Sequence, residues 1–260
     1  MNLRRSIKLT FVFLTAILGI ASFSTISSAR AKNSVPILGS MLNLAPLQFN
    51  VGFNEIDSRI PKIKEEIEKG SKKFDAYLKS RPVQVVRDRG GKLYIINGNH
   101  FARALFNLGI VQIYYVEIEN YSKLSQKAFE RKLKKKQYLF LRDNGEKRPF
   151  NALPKTVAQL TDDPYRSLAW AIRRMGGYKD LDLAFQEFYW ADFFRKRVKV
   201  DFSTHETTNL TLAHALTLAH SKKARKLSGY ISKPKGKKCM EDMIFKILGR
   251  DSTVDPLSEK

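Results

Sequence analysis

The sequence predicts an α/β protein of the α+β kind, a small mixed sheet with flanking helices followed by a mostly helical C-terminal region. Three observations carry that expectation. Between Val83 and Ile118, short runs rich in β-branched and aromatic residues alternate with glycine-containing turns. Within that stretch the apolar spacing changes from the period of a strand to that of a helix at Gly98 and returns to strand after Gly109. Beyond Tyr121 the period is mostly helical.

Taken in order, residues 32–40 read as a linker and 42–51 as a first strand segment broken at Pro46. Over 55–69, Ile56, Ile60, Ile63 and Ile67 share one face amid alternating charges, which predicts an amphipathic helix with a solvated outer side. Pro61 either bends that helix or marks its true start. Residues 71–80 continue helically, 83–86 form a strand, and Asp88-Arg89-Gly90-Gly91 is a hairpin turn into the strand at Leu93. After the turn dipeptide Asn97-Gly98, the residues Phe101, Ala104, Leu105 and Leu108 recur at i, i+3, i+4 and i+7. Asn99 suits the N-cap of this helix and Gly109 its C′ position, and 110–118 returns to strand. The α/β domain therefore spans about 42–120.

Residues 121–232 form a helical region expected to pack on that domain. Its first helix, within 123–141, carries Arg131, Lys132, Lys134, Lys135 and Lys136, anchored by Leu124, Ala128, Leu133 and Phe140. Such a row is either a solvated face or a basic ridge that tracks a phosphate backbone. Asp163-Pro164 is a helix start, Asp at the N-cap and Pro at N1, and Gly176-Gly177 ends that helix. Phe185, Phe188, Tyr189, Trp190, Phe193 and Phe194 crowd one segment; exposed aromatics at this density would aggregate, so they read as a helix sealing the α/β unit. Another amphipathic helix follows over 211–227, and 233–260 is a basic tail expected to be mobile.

The N-terminus reads as an address. Arg4, Arg5 and Lys8 precede an apolar run from Leu9 to Phe23, and Ala29-Arg30-Ala31 has the form of a signal-peptidase site. Residues 1–31 are thus a signal peptide and the protein exported, periplasmic or secreted; an uncleaved N-terminal membrane anchor is the alternative. The 260 residues carry a formal charge of +22, only four of whose cationic residues fall in the leader. The remainder attracts polyanions, nucleic acid foremost, with electrostatic contact to an anionic membrane surface as a second outlet. Cys239 is the single cysteine, so no intrachain disulfide forms.

The Asn97–Gly98 turn is where chemistry is expected. A helix that starts there presents free backbone N–H groups and the positive end of its dipole to an anion above the strand end, with His100 and Arg103 nearby. Asn97, Gly98, Asn99 and His100 resemble the Asp-Gly-His-His motif of the ParB and sulfiredoxin superfamily, and more closely that of its ParB-like nuclease family. Residues 44–56 look like that family's opening block through Gln48, Val51, Gly52 and Glu55, and DPYRSLAWAIRRMGG, FQEFYWADFFR and ALTLAHSKKARKLSGY look like its C-terminal blocks. Asn97 stands where the family has Asp and Asn99 where it has the first His, so this turn lacks one carboxylate and one imidazole.

The resemblance implies a ParB/sulfiredoxin-like fold that binds nucleic-acid or nucleotide phosphates at the loop before the helix. In several members phosphoryl transfer or hydrolysis occurs there. Carried onto this chain, Asn97, Gly98, Asn99, His100 and Arg103 are the phosphate-binding residues, and Glu55 and His100 the catalytic ones, Glu55 as general base. The cofactor is left open; magnesium or manganese is the ion a phosphate substrate would bring, held by carboxylates such as Glu55 or Asp163. His205, His214 and His220 have no i, i+4 partner and indicate no resident metal site. The competing function is a non-catalytic basic polyanion-binding protein on a degenerate scaffold of the same kind.

Overall fold

The computed structural model describes residues 35–181 and 183–232; the expected leader, the tail and Cys239 lie outside them. In chain order these residues form β1 (Ile37–Ser40), β2 (Leu44–Pro46), β3 (Asn50–Val51), α1 (Phe53–Glu68), α2 (Ser71–Lys79), β4 (Val83–Arg87), β5 (Leu93–Asn97), α3 (Asn99–Asn107), β6 (Gln112–Asn120), α4 (Gln126–Lys135), β7 (Arg142–Asp143), β8 (Glu146–Lys147), β9 (Thr161–Asp162), α5 (Pro164–Arg174), α6 (Gln186–Arg195) and α7 (His205–Ala219). A mixed α/β domain is followed by a mostly helical region, as the sequence predicts.

The main sheet has the order β1-β6-β4-β5-β2. β4 and β5 are antiparallel across the Asp88–Gly91 turn, β6 runs parallel to β4, β2 parallel to β5, and β1 antiparallel to β6. Strand alternation divides the domain into two layers. Val85 and Ile95 point into a core shared with Ile56 and Ile63 of α1 and with Ala102 and Leu105 of α3. Val86 and Tyr94, on the opposite face, meet Phe129 and Leu133 of α4.

Several expectations are corrected. The linker read over 32–40 contains β1, which covers the edge of β6 that would otherwise stand open; Ile37 and Leu38 stay half exposed, as edge positions do. α1 runs unbroken through Pro61 from Phe53, because burial of Ile56 and Ile63 and the ion pairs of its outer face outweigh the lost backbone bond. Asn99 is not the cap of α3. Gly98 is, at φ 102°, where a side chain would be strained and would press on Val83. The helix within 123–141 is only Gln126–Lys135, and Phe129 is an anchor the spacing missed. The helix read over 211–227 starts earlier, at the Thr204–Thr207 capping box, and stops at Ala219.

The aromatic helix α6 also differs from expectation. It does not seal the sheet but builds a separate core with α5 and α7, in which Trp190 is fully buried beside Leu168, Phe194 and Leu216. Trp190 stacks on Tyr178 with ring centroids 4.1 Å apart and donates its indole N–H to the Ser228 carbonyl. A local aromatic surplus of this size is enough to fill a core of its own.

Candidate functional site

Two helices begin side by side at the site, and they differ in what occupies their N-termini. At α1 the free N–H groups are taken by protein: Gly52 N–H donates to His100 Nε2, Phe53 N–H to Asp162 and Asn54 N–H to Ser167. Gly52 must be glycine because any Cβ would lie 2.7 Å from Ser167 Oγ, so close is α1 to the start of α5. At α3 the cap is Gly98, which has no side chain to offer its first turn.

In front of α3 lies a cleft of about 420 Å³ lined by Arg59 and Lys62 of α1, Arg81 and Tyr77 at the end of α2, and the Asn97-Gly98 turn. Arg81 stacks its guanidinium 4.2 Å over the Tyr77 ring, and Tyr77 meets Phe101 edge-on. Lys62 is partly neutralised by Glu65 and Glu66, and Arg59 by Glu55 beneath it, which leaves Arg81 as the lining cation with no carboxylate partner among the described residues. The arrangement offers an anion the Arg81 guanidinium, the part of Arg59 not turned to Glu55, a helix N-terminus and a glycine that permits close approach.

Behind this cleft sits a buried charge cluster. Glu55, in the first turn of α1, is 3% exposed. Its Oε1 accepts from Arg59 at 2.7 Å, and its Oε2 lies 3.0 Å from Arg166 of α5 and 3.5 Å from His100. Arg166 continues to Glu187 of α6, which also pairs with Arg173. Burial pushes the Glu55 carboxyl up, but the surrounding charges of His100, Arg166 and Arg59 pull it further down, to about 2. At neutral pH His100 itself is uncharged, because burial depresses its imidazole to about 3 against the pull of Glu55, and its Nε2 accepts the Gly52 N–H; there Arg166 and Arg59 are the cations that face Glu55.

The sequence-predicted residues therefore separate into three groups. Asn97 and Gly98 line the cleft. Glu55 and His100 come together beneath it, Glu55 buried and His100 13% exposed, and Asn99 is buried beside them in sequence only, donating to Gln48 at 3.1 Å. Arg103 is drawn away altogether; its Nη1 donates to the carbonyls of Val157, Ala158 and Leu160, so it fastens the 157–160 turn instead of neutralising phosphate. Sequence reasoning missed Arg59, Arg81, Arg166 and Glu187. Arg59 had a signal, since it follows Glu55 by four positions on one helix face; Arg81 had none.

The carboxylates considered for a divalent ion do not fit one. Glu55 faces two arginines, and Asp163 caps α5 and accepts from Arg195 at 2.6 Å, so each already has its cation. Among the described residues no group of three His, Cys, Asp or Glu side chains could hold a metal, and no helix is long and apolar enough to cross a membrane.

A family model described as "Putative ParB-like nuclease" matches residues 39–196, more than half of the chain. The protein belongs to this ParB-like nuclease family. The ParB-like match runs from β1 through α6, so it takes in the cleft, the buried cluster and both partners of Arg166. A crystal structure of protein Atu1540 from Agrobacterium tumefaciens is similar at 32% identity and a TM-score of 0.65, covering 76% of this chain and 99% of that one. No curated protein matches the chain. In this ParB-like chain the opening block acts through contacts now visible: Gln48 fixes Asn99, Gly52 admits α5, and Glu55 gathers the arginines.

Proposed function

We propose that the protein binds phosphate groups of nucleotides or nucleic acid in the cleft before α3. The observation that carries this reading is the convergence of Arg59, Arg81 and the uncapped start of α3 on one open space. Glu55 then serves as a positioning residue. A carboxylate held near 2 is a weak proton acceptor, and its place beneath the surface suits it to steering Arg59 rather than activating water. Hydrolysis of a bound phosphodiester would need a base other than Glu55 in this arrangement. The leader-like start of the chain supports an exported location, where nucleic acid is the more available phosphate source.

The test is binding of a labelled 5′-phosphorylated oligonucleotide by the purified protein, with inorganic pyrophosphate as competitor, beside the double variant Arg59→Ala/Arg81→Ala. Two charge-assisted contacts at about 1.5 kcal/mol each correspond to about 100-fold weaker binding in the variant. Equal affinity in both proteins, with no competition by pyrophosphate, would remove the cleft from consideration. Added magnesium or manganese then asks whether the strand is also cut.

A further inference from the structure

A second charged concavity lies beside the basic row of α4. A groove of about 800 Å³ is formed between the loop after β6 and α4, with Lys123 on one side, Arg131, Lys132 and Lys135 on the other, and Leu124 and Ala128 in its floor. It follows the C-terminal end of β6, which is parallel to β4, whereas the cleft follows the C-terminal end of the antiparallel β5. α4 also packs on the opposite sheet face from α1 and α3. The two concavities are therefore at opposite ends and on opposite faces of the sheet.

What distinguishes this surface is charge left without a partner. On α1 and its C-cap, Arg59, Lys62 and Lys69 are matched by glutamates of that helix and Lys64 alone makes no ion pair among the described residues. From Lys123 to Lys136 there are seven cations and one acid, Glu130. Lys123, Arg131 and Lys135 make no ion pair or side-chain hydrogen bond among the described residues, and all three are exposed. The helix dipole explains Lys132, Lys134 and Lys135 in the last turn of α4, but it disfavours Lys123 and Lys127 at the opposite end. Lys127, Arg131 and Lys135 are also spaced by four, so they repel along one helix face at roughly 0.2–0.5 kcal/mol per pair. Local stability thus argues against this arrangement, while an external polyanion would reward it.

We propose that this groove is a binding surface for the backbone of a nucleic-acid strand, independent of the cleft. The cations would contact successive phosphates without reading bases, since Tyr121, the aromatic ring at the groove, is 7% exposed and turned into the core beside Phe129. Concavity favours a strand over a bilayer: a strand enters a groove with cations on both walls, whereas a membrane surface meets only its rim.

The experiment measures binding of labelled single-stranded and duplex DNA by fluorescence anisotropy over a series of salt concentrations. It compares the wild type with Lys123→Ala/Arg131→Ala/Lys135→Ala and with a charge-matched control, Lys64→Ala/Lys72→Ala/Lys73→Ala. The groove variant is expected to bind single strands more weakly regardless of sequence and to show a salt slope shallower by about 2, at ~0.7 per phosphate contact, with the control unchanged. Equal binding by the groove variant and wild type overturns the proposal, as does an equal loss in the control, which would make the effect one of total charge. Binding to phosphatidylserine vesicles with none to DNA would overturn it in favour of a membrane contact. The Arg59→Ala/Arg81→Ala variant separates the sites, since it leaves the groove intact.

Discussion

His100 is neutral in a setting of strong charges, and that fixes how the protein responds to acid. Its folded value of about 3 lies below the ordinary 6.5, so between these limits the unfolded chain binds a proton that the folded chain refuses. The stability it contributes is whole above pH 6.5 and is lost as pH falls toward 3, with a slope of at most about 1.4 kcal/mol per pH unit. Glu55 adds to the loss lower down, from 4.5 toward its folded value of about 2. Urea unfolding between pH 7 and 4 is therefore expected to show steadily falling stability, and His100→Gln, which cannot take up the proton, should flatten that dependence. An unchanged slope in the variant would mean another group controls it. The turn's sequence announced a histidine at a helix start, but not that Gly52, nearly fifty residues earlier, would claim its Nε2.

At the scale of elements, the helices are joined by charge as much as by apolar contact. Arg166 of α5 reaches Glu55 of α1 and Glu187 of α6 from a fully internal position. Arg166→Ala strands Glu55 against a diminished set of cations and is expected to lower stability by about 3–5 kcal/mol in urea denaturation. In a double-mutant cycle with Glu55→Gln the combined loss should be well short of additive, because the second change removes the charge the first one abandoned. Additive losses would show that the two side chains act separately. These links also explain what could be read in advance. Asp163 as cap, Pro164 at N1, Gly109 after α3 and the β4–β5 hairpin follow from local chemistry, and the sequence displays them. β1 was illegible because its reason for pairing is the open edge of β6, seventy residues away. Arg103 misled because a helix position gives a direction only once the neighbouring 157–160 turn is known.

Across the whole molecule, the sheet and the helical region have their own apolar centres, and the buried arginine–carboxylate cluster lies where they meet. Both proposed phosphate-binding surfaces lie against the sheet, one at the end of β5 and the other beside α4. The helical half contributes Arg166 and Glu187 to the support of Glu55, so changes in its core are expected to reach the cleft indirectly. Both tryptophans, Trp170 and Trp190, belong to that helical core, and the α/β half has only tyrosines and phenylalanines. Intrinsic tryptophan emission is thus a private reporter of one half of the protein. If the ion cluster welds the halves into one cooperative unit, emission and far-ultraviolet circular dichroism will trace a single denaturation curve; if the helical half can open by itself, emission will change first, while the sheet and its cleft remain folded.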